Sequence, residues 1–271
     1  MRYLLITLAW IALLTAIAQP YRNQAGIAQP VSGRAITMLI DLSTSMERRD
    51  FTLNDESVDR LTVVKHIASQ FISAREGDRL ALVLYGSEAF IASPLTFDIN
   101  AVNTTLLSSG IGMAGRTTAI GDALGLAIKS LQSDPAPGKA IVLLSDGSNN
   151  SGTAEPEDAA TLAATLGITV HTIGLGSDGS TDASQQFQSA AADLDEQTLR
   201  SIAEVSGGQY FRAQTTHELE QIYREIDRLE SSDVTAPPLV LKKDYRNIFV
   251  LLTLLCLIAL STHSIFRRQY S

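Results

Sequence analysis

The chain has 271 residues, a formal net charge of −8 at pH 7 and a single cysteine. This length allows one or two domains with a full α/β core. The acidic balance argues against a nucleic-acid-binding protein, because no basic surface is left to neutralise phosphates. The lone Cys256 excludes an internal disulfide and a zinc site built from several cysteines.

The N-terminal segment, residues 1–19, is predicted to be a membrane anchor or a signal peptide. Residues 3–18 are apolar apart from two threonines and follow a single arginine, Arg2. As a membrane helix this run is slightly short for a bilayer core of about 30 Å. As a signal peptide it has a basic start, an apolar middle and an Ala16-x-Ala18 cleavage signature. In both interpretations, the residues after Gln19 are exported from the cytoplasm.

The first strand is predicted directly after a linker. Residues 20–34 contain two prolines and two glycines without periodicity, which is typical of a linker. The apolar run Ile36–Ile40 is short and lacks helical spacing, so we predict a buried strand. Asp41 ends this strand and opens the pattern Asp-x-Ser-x-Ser, with Ser43 and Ser45. In an open α/β sheet, ligands bind at the carboxyl ends of strands.

Helices and strands then alternate to residue 230. Apolar residues at helical spacing predict helices at 58–74, 100–107, 119–131, 156–166, 195–205 and 216–229. Short apolar runs predict strands at 79–85, 90–95, 140–144, 168–173 and 210–211. This alternation predicts right-handed βαβ crossovers and an α/β domain over residues 35–230, with a doubly wound, mostly parallel sheet.

The C-terminal segment contains a second long apolar run. Residues 231–247 are predicted to be a juxtamembrane linker, and Ile248–Phe266 spans nineteen residues, which fits one transmembrane helix. A buried core helix is the alternative. Residues 267–271 form a short tail. Basic residues flank both sides of the run, so orientation rests on the N-terminal export signal, which places the central domain outside and both tips in the cytoplasm.

Polar side chains from three separate stretches are predicted to meet at one edge of the sheet. Asp41 and Asp146 each follow a predicted strand, and the Thr117-Thr118 pair precedes a predicted helix. We prefer Thr118 to Thr117 because it directly precedes the Ala-Ile-Gly turn. The predicted metal ligands are Asp41, Ser43, Ser45, Thr118 and Asp146. Oxygen-only ligands suit a hard cation such as Mg²⁺, with Mn²⁺ or Ca²⁺ as alternatives.

The predicted ligand set leaves room for a group from another molecule. Only two of the five side chains carry charge, so an anionic group from outside is the natural sixth ligand. The site is therefore expected to capture an Asp or Glu carboxylate of a partner protein. Met46, Arg116 and Thr117 are the predicted rim around it.

These motifs resemble a known family. The segments DLSTS, TTAIGDAL and LLSDGSNN are similar to the metal-ion-dependent adhesion site of von Willebrand factor type A domains, and the similarity spans about residues 35–229. Residues 77–96, 112–125 and 195–213 and the flanking apolar segments resemble the membrane-anchored Bat proteins of bacterial aerotolerance operons. The resemblance implies a doubly wound sheet, Mg²⁺ in the five-residue site, and protein binding without catalysis.

Other motifs carry less weight. The segment Gly174–Gly179 matches a dinucleotide-binding fingerprint, but a polar stretch follows where that fingerprint needs a helix. The four histidines lack metal-ligand spacing, and no serine stands in a Gly-x-Ser-x-Gly motif. Asp-x-Ser-x-Ser alone is also compatible with simple helix capping.

Two functional hypotheses follow. The first is an interaction module in the bacterial inner membrane, with its central domain on the periplasmic or extracellular side and other Bat-type envelope proteins among its candidate partners. The second is a phosphoryl-transfer enzyme with Asp41 as the nucleophile. The second is disfavoured because such enzymes use another acid two residues on, where this chain has Ser43.

Overall fold

The computed structural model describes residues 2–18, 21–25, 33–176, 195–230, 240–244, 249–255 and 258–259. The chain divides into two units, residues 30–236 and residues 1–29 together with 237–271. Three predicted features lie wholly or mostly outside the described residues. They are the polar stretch after Gly176, the predicted transmembrane helix 248–266 and the tail 267–271.

The terminal unit contains a helix and a two-stranded sheet. Helix α1 spans Arg2–Ile17, and strand β1, Tyr21–Ala25, pairs antiparallel with strand β10, Val240–Asp244. These strands form within segments predicted to be linkers, whose largely polar sequences show no strand alternation. Residues 249–255 and 258–259 are helical. Within the described ranges, no helix is both long enough and apolar enough to cross a membrane.

The central unit is built on a six-stranded sheet. Its strands lie in the order β6-β5-β2-β7-β8-β9, and only the β5–β6 pair is antiparallel. The strands are β2 Arg34–Asp41, β5 Arg79–Tyr85, β6 Ala89–Thr96, β7 Gly138–Ser145, β8 Thr169–Leu175 and β9 Tyr210–Ala213. The mostly parallel sheet predicted from the sequence is confirmed.

Helices cover both faces of this sheet. They are α2 Arg60–Ser73, α3 Ile99–Ser108, α4 Ile120–Gln132, α5 Pro156–Thr165, α6 Glu196–Val205 and α7 Thr216–Glu230. The first apolar core contains residues of α2, α3 and α7, and the second contains residues of α4, α5 and α6. Strand β2 contributes Met38 and Ile40 to the first core and Leu39 to the second, which explains why residues 35–40 are apolar apart from Thr37.

One hairpin was not predicted. Residues 46–55 are largely polar and carry no predicted strand, but β3, Phe51–Leu53, pairs antiparallel with β4, Glu56–Val58. The turn residues Asn54 and Asp55 have φ values of 53° and 65°. Positive φ at both central residues matches a tight hairpin turn, and Asn and Asp tolerate that conformation. Strands of three residues are too short to show alternation in the sequence.

Candidate metal centre

The candidate site lies at the carboxyl ends of β2 and β7, which are neighbours in the sheet. Their parallel register pairs Ile40 with Leu144, so Asp41 and Ser145 both come next at the same edge. The Ser145 hydroxyl donates to Oδ2 of Asp41 at 3.1 Å. Asp146, the following residue, therefore stands at the same edge of the sheet as Asp41.

Asp41 is fully buried and both of its carboxylate oxygens are engaged. Oδ1 accepts the Ser43 backbone N–H at 2.8 Å, and Oδ2 accepts the Ser145 hydroxyl. Burial, followed by the negative charge of Asp146, raises the pKa of Asp41 to about 7. The ionised carboxylate is therefore costly here unless a positive charge accompanies it.

The two serines form a hydrogen-bonded chain to Asp146. Ser43 adopts an extended conformation before a single 3₁₀ turn, Thr44–Glu47. Its Oγ lies 2.8 Å from Oγ of Ser45, which donates to Oδ1 of Asp146 at 2.5 Å. The alternate spacing of the serines thus places the Ser45 hydroxyl on Asp146 and the Ser43 hydroxyl next to that of Ser45.

Thr118 is the threonine that faces this cluster. A Cβ added to Gly147 would lie 3.8 Å from both Ser45 Oγ and Thr118 Oγ1, so the two hydroxyls flank the same glycine. Thr118 is buried, and its backbone N–H donates to Oδ1 of Asn150 at 2.8 Å. Thr117 is exposed, and its hydroxyl instead donates to Ser87 Oγ at 2.6 Å. The structure thus brings the five predicted ligands together and leaves Thr117 outside the cluster.

Two of the three predicted rim residues are exposed, and one is buried. Arg116 and Thr117 are exposed in the loop before α4, and the Thr44 backbone N–H donates to the Arg116 carbonyl at 3.3 Å. Met46 was predicted to contact a partner, and this is wrong. Its side chain is fully buried in the first apolar core, because the 3₁₀ turn directs it inwards.

Arg60 and Asp50 lie at the site and were not predicted from the sequence. Arg60 is buried at the start of α2, and its Nη1 donates to Oδ2 of Asp146 at 3.0 Å. The same guanidinium forms an ion pair with Asp50. In the sequence, Arg60 stands in the first turn of a predicted helix, where a charged residue is usually solvated, so no pattern distinguished it.

Two asparagines also hold the site, by capping the helix that follows Thr118. Oδ1 of Asn149 accepts the Ile120 backbone N–H at 2.8 Å, and Oδ1 of Asn150 accepts that of Thr118. Both belong to the SDGSNN segment that carries Asp146. The loop after β7 therefore supplies a candidate ligand and also positions Thr118, which lies two residues before α4.

The donor set fits a hard divalent cation. It contains two carboxylates and three hydroxyls, and every candidate donor atom is oxygen. In the described part of the chain, no group of three or more His, Cys, Asp or Glu side chains is placed to hold a metal, so hydroxyls must complete any site here. Hydroxyl and carboxylate oxygens suit Mg²⁺ better than softer metals.

The same geometry disfavours Asp41 as a nucleophile. Its side chain is fully buried, and protein donors occupy both oxygens. Ser43, two residues on, supplies a hydroxyl where a general acid would be needed. Complete burial, together with Ser43 in place of a second acid, therefore argues against Asp41 as the attacking group.

The chain belongs to the von Willebrand factor type A family: residues 35–225 match the model of that domain. It is 30% identical over 236 residues to a UPF0353 protein of Mycolicibacterium paratuberculosis, covering 82% of this chain and 68% of the relative. These findings confirm the family assigned from the sequence motifs.

Two solved structures are similar to this chain at 26% sequence identity. BatB of Bacteroides thetaiotaomicron has a TM-score of 0.59 and covers 73% of this chain and 99% of its own. An aerotolerance-related membrane protein of Bacteroides fragilis has a TM-score of 0.58 and covers 73% of this chain and 98% of its own. The predicted resemblance to Bat proteins is therefore confirmed.

Proposed function

We propose that this protein is a Mg²⁺-dependent interaction module that binds a carboxylate of a partner protein. The ion is held by Asp41, Ser43, Ser45, Thr118 and Asp146, some of them through water. The observation that carries the proposal is the convergence of these side chains, from three separate stretches of sequence, at the edge of the sheet where α/β proteins bind ligands.

The electrostatics of the two carboxylates support a cation at this point. Burial raises the pKa of both Asp41 and Asp146, and the charge of Asp146 adds to the shift on Asp41. A divalent cation between them reverses that repulsion and stabilises both ionised groups. Mn²⁺ and Ca²⁺ share the preference for oxygen and are the alternatives to Mg²⁺.

The neighbouring surface supports a protein ligand. Arg116 and Thr117 are exposed beside the site, and Met113 in the same loop is 60% exposed. A cation with an open coordination position, next to an arginine and an exposed apolar side chain, suits an acidic residue in a folded partner. Another Bat-type envelope protein is our candidate, and the role proposed for the chain is binding without catalysis.

We place the protein in the bacterial inner membrane, with residues 35–230 on the periplasmic side. Helix α1 exposes apolar side chains on several faces, with Tyr3 85%, Trp10 61% and Ile11 61% exposed. Such a surface favours an apolar environment. The similar protein from Bacteroides fragilis is described as a membrane protein. In this proposal, segments 1–19 and 248–266 are the anchors, and 20–34 and 231–247 connect them to the domain.

A crosslinking pulldown from bacterial membranes tests the proposal. Tagged full-length protein should capture its partner in Mg²⁺, and EDTA or Asp41→Ala should each remove that partner. Asp158→Ala, which changes an exposed carboxylate on α5, is the matched control and should capture it normally. A partner that is retained both in EDTA and by Asp41→Ala contradicts the proposal.

A further inference from the structure

Arg60 is a buried cation in contact with the candidate metal centre. Its side chain is 3% exposed, and Nη1 lies 3.0 Å from Oδ2 of Asp146. On the other side, Nε donates to Oδ1 of Asp50 at 2.9 Å, and Nη2 is bonded to Oδ2 of that residue. The guanidinium thus links a candidate metal ligand to a second carboxylate outside the ligand set.

Helix formation does not explain this arginine. Asp59 already caps α2 by accepting the Thr62 backbone N–H at 2.8 Å. A cation in the first turn is disfavoured by the helix dipole, and a buried charge is costly unless it is paired. The two carboxylates and the Leu175 carbonyl, which accepts from Nη1 at 3.4 Å, stabilise Arg60 at this position.

Arg60 changes what Asp146 can offer to an ion. Oδ2 of Asp146 is bonded to the guanidinium, whereas Oδ1 faces the Ser45 hydroxyl at 2.5 Å. Asp146 therefore presents one oxygen, and part of its negative charge is offset by Arg60. A divalent ion between two carboxylates is formally neutral, so the adjacent guanidinium leaves the loaded centre positive. Asp50 adds one negative charge, which would make the whole group formally neutral. Because Asp50 is 23% exposed, solvent screens its charge more than it screens that of the buried Arg60, so a positive excess remains at the ion.

We propose that Arg60 and Asp50 set the charge of the metal centre, an inference that rests on the proposed function. Arg60 lowers the affinity of the site for Mg²⁺ in the absence of a partner. It also keeps the net charge at the bound ion positive, which favours binding of a partner carboxylate. Asp50 limits this effect by sharing the guanidinium. Arg60 is thus a residue that determines specificity for an anionic ligand without itself being a metal ligand.

Calorimetric titration of Mg²⁺ into the full chain in detergent separates this role from a structural one. Arg60→Met should bind Mg²⁺ about fivefold more tightly or better, because a positive charge close to the ion is removed. Asp50→Asn should bind it more weakly, because the charge of Arg60 then acts on Asp146 alone. A structural role predicts weaker binding in both variants, since each breaks the same ion pair.

Two control variants test whether charge is the cause. Arg49→Met removes an exposed charge nearby and should bind Mg²⁺ within about twofold of the wild type, because solvent screens that side chain. Arg60→Lys keeps the charge and should resemble the wild type more than Arg60→Met does. Acetate, used as a model carboxylate, should increase the apparent Mg²⁺ affinity of the wild type and increase that of Arg60→Met less.

The outcomes separate the inference from the proposed function. If the wild type and Asp41→Ala bind Mg²⁺ equally, the proposed function itself fails. If only Asp41→Ala loses Mg²⁺, but a folded Arg60→Met binds with unchanged or lower affinity, the charge role of Arg60 is overturned. Arg60→Lys matching Arg60→Met would also overturn it. Should Arg60→Met not fold, Arg60→Gln decides, because it keeps a hydrogen-bond donor near Asp146 without the charge. Tighter Mg²⁺ binding than the wild type supports the inference, and unchanged or weaker binding refutes it.

Discussion

At the scale of single residues, the chemistry of this protein depends on carboxylates that are ionisable but buried. Asp41 and Asp146 could be recognised in the sequence because each follows an apolar strand. Arg60 and Asp50 could not, because a charged residue at the start of a helix or in a polar loop is usually solvated. Met46 was misplaced because adjacent residues in a 3₁₀ turn point about 120° apart. Ser45 therefore faces the site while Met46 enters the core.

The raised pKa of Asp41 predicts how the stability of the metal-free protein depends on pH. The folded-state pKa of about 7 lies above the ordinary value of 3.8, so folding favours the protonated group. Its stabilising contribution is complete below about pH 4 and is lost as the pH rises through 7. In EDTA, the free energy of unfolding should fall by about 1 to 4 kcal/mol between these values.

Denaturant unfolding at a series of pH values measures this effect. Asp41→Asn should flatten most of the slope, and the remainder is assigned to Asp146, whose pKa is raised in the same direction. Adding Mg²⁺ at pH 8 should restore stability to the wild type but not to the variant. The assignment would be contradicted if the free energy of unfolding of the metal-free wild type rose from pH 4 to 7 and Asp41→Asn removed that rise.

At the scale of elements, the position of α4 controls the position of Thr118. The first turn of this helix packs closely on the loop after β7, and a Cβ on Gly121 would lie 1.9 Å from the Ala154 carbonyl oxygen. That loop is itself held, because the Ala154 backbone N–H donates to Oδ1 of Asp122 at 2.9 Å. The helices and strands could be predicted from apolar periodicity. The close approach of Gly121 to the loop after β7 could not, because it depends on tertiary contacts that leave no periodic signal in the sequence.

Two glycines of α4 provide a matched pair of variants. Gly121→Ala should destabilise the protein by about 1 to 3 kcal/mol, because the added methyl group overlaps fixed backbone. Gly125→Ala meets no atom within 4 Å and should stabilise by up to about 1 kcal/mol through helix propensity. Thermal unfolding of both variants gives the comparison. If the two variants changed the stability equally, the loop after β7 would have to move away to accommodate the added methyl group at position 121.

At the scale of the whole molecule, the chain contains a compact unit with its own core. Residues 30–236 include the sheet, both apolar cores and the five candidate ligands. The alternation of strands and helices made this unit predictable. The terminal unit was less predictable, since β1 and β10 pair through backbone atoms in sequences without apolar alternation.

The segment 30–236 should therefore be soluble and fold cooperatively when expressed alone. In its described residues, helices cover both faces of the sheet, and both apolar cores lie within the segment. Circular dichroism and analytical ultracentrifugation test this expectation. Aggregation of the segment would indicate instead that the C-terminal apolar run belongs to the core.

Calorimetric titration of Mg²⁺ into the full chain, compared with Asp41→Ala, tests the central claim most directly. We predict saturable binding of one ion per chain in the wild type. In the variant we predict no detectable binding and an unchanged circular dichroism spectrum, because Asp41 lies at the edge of the sheet, where it adds little to the core. Equal binding by the two proteins would contradict the claim that these side chains form a metal centre.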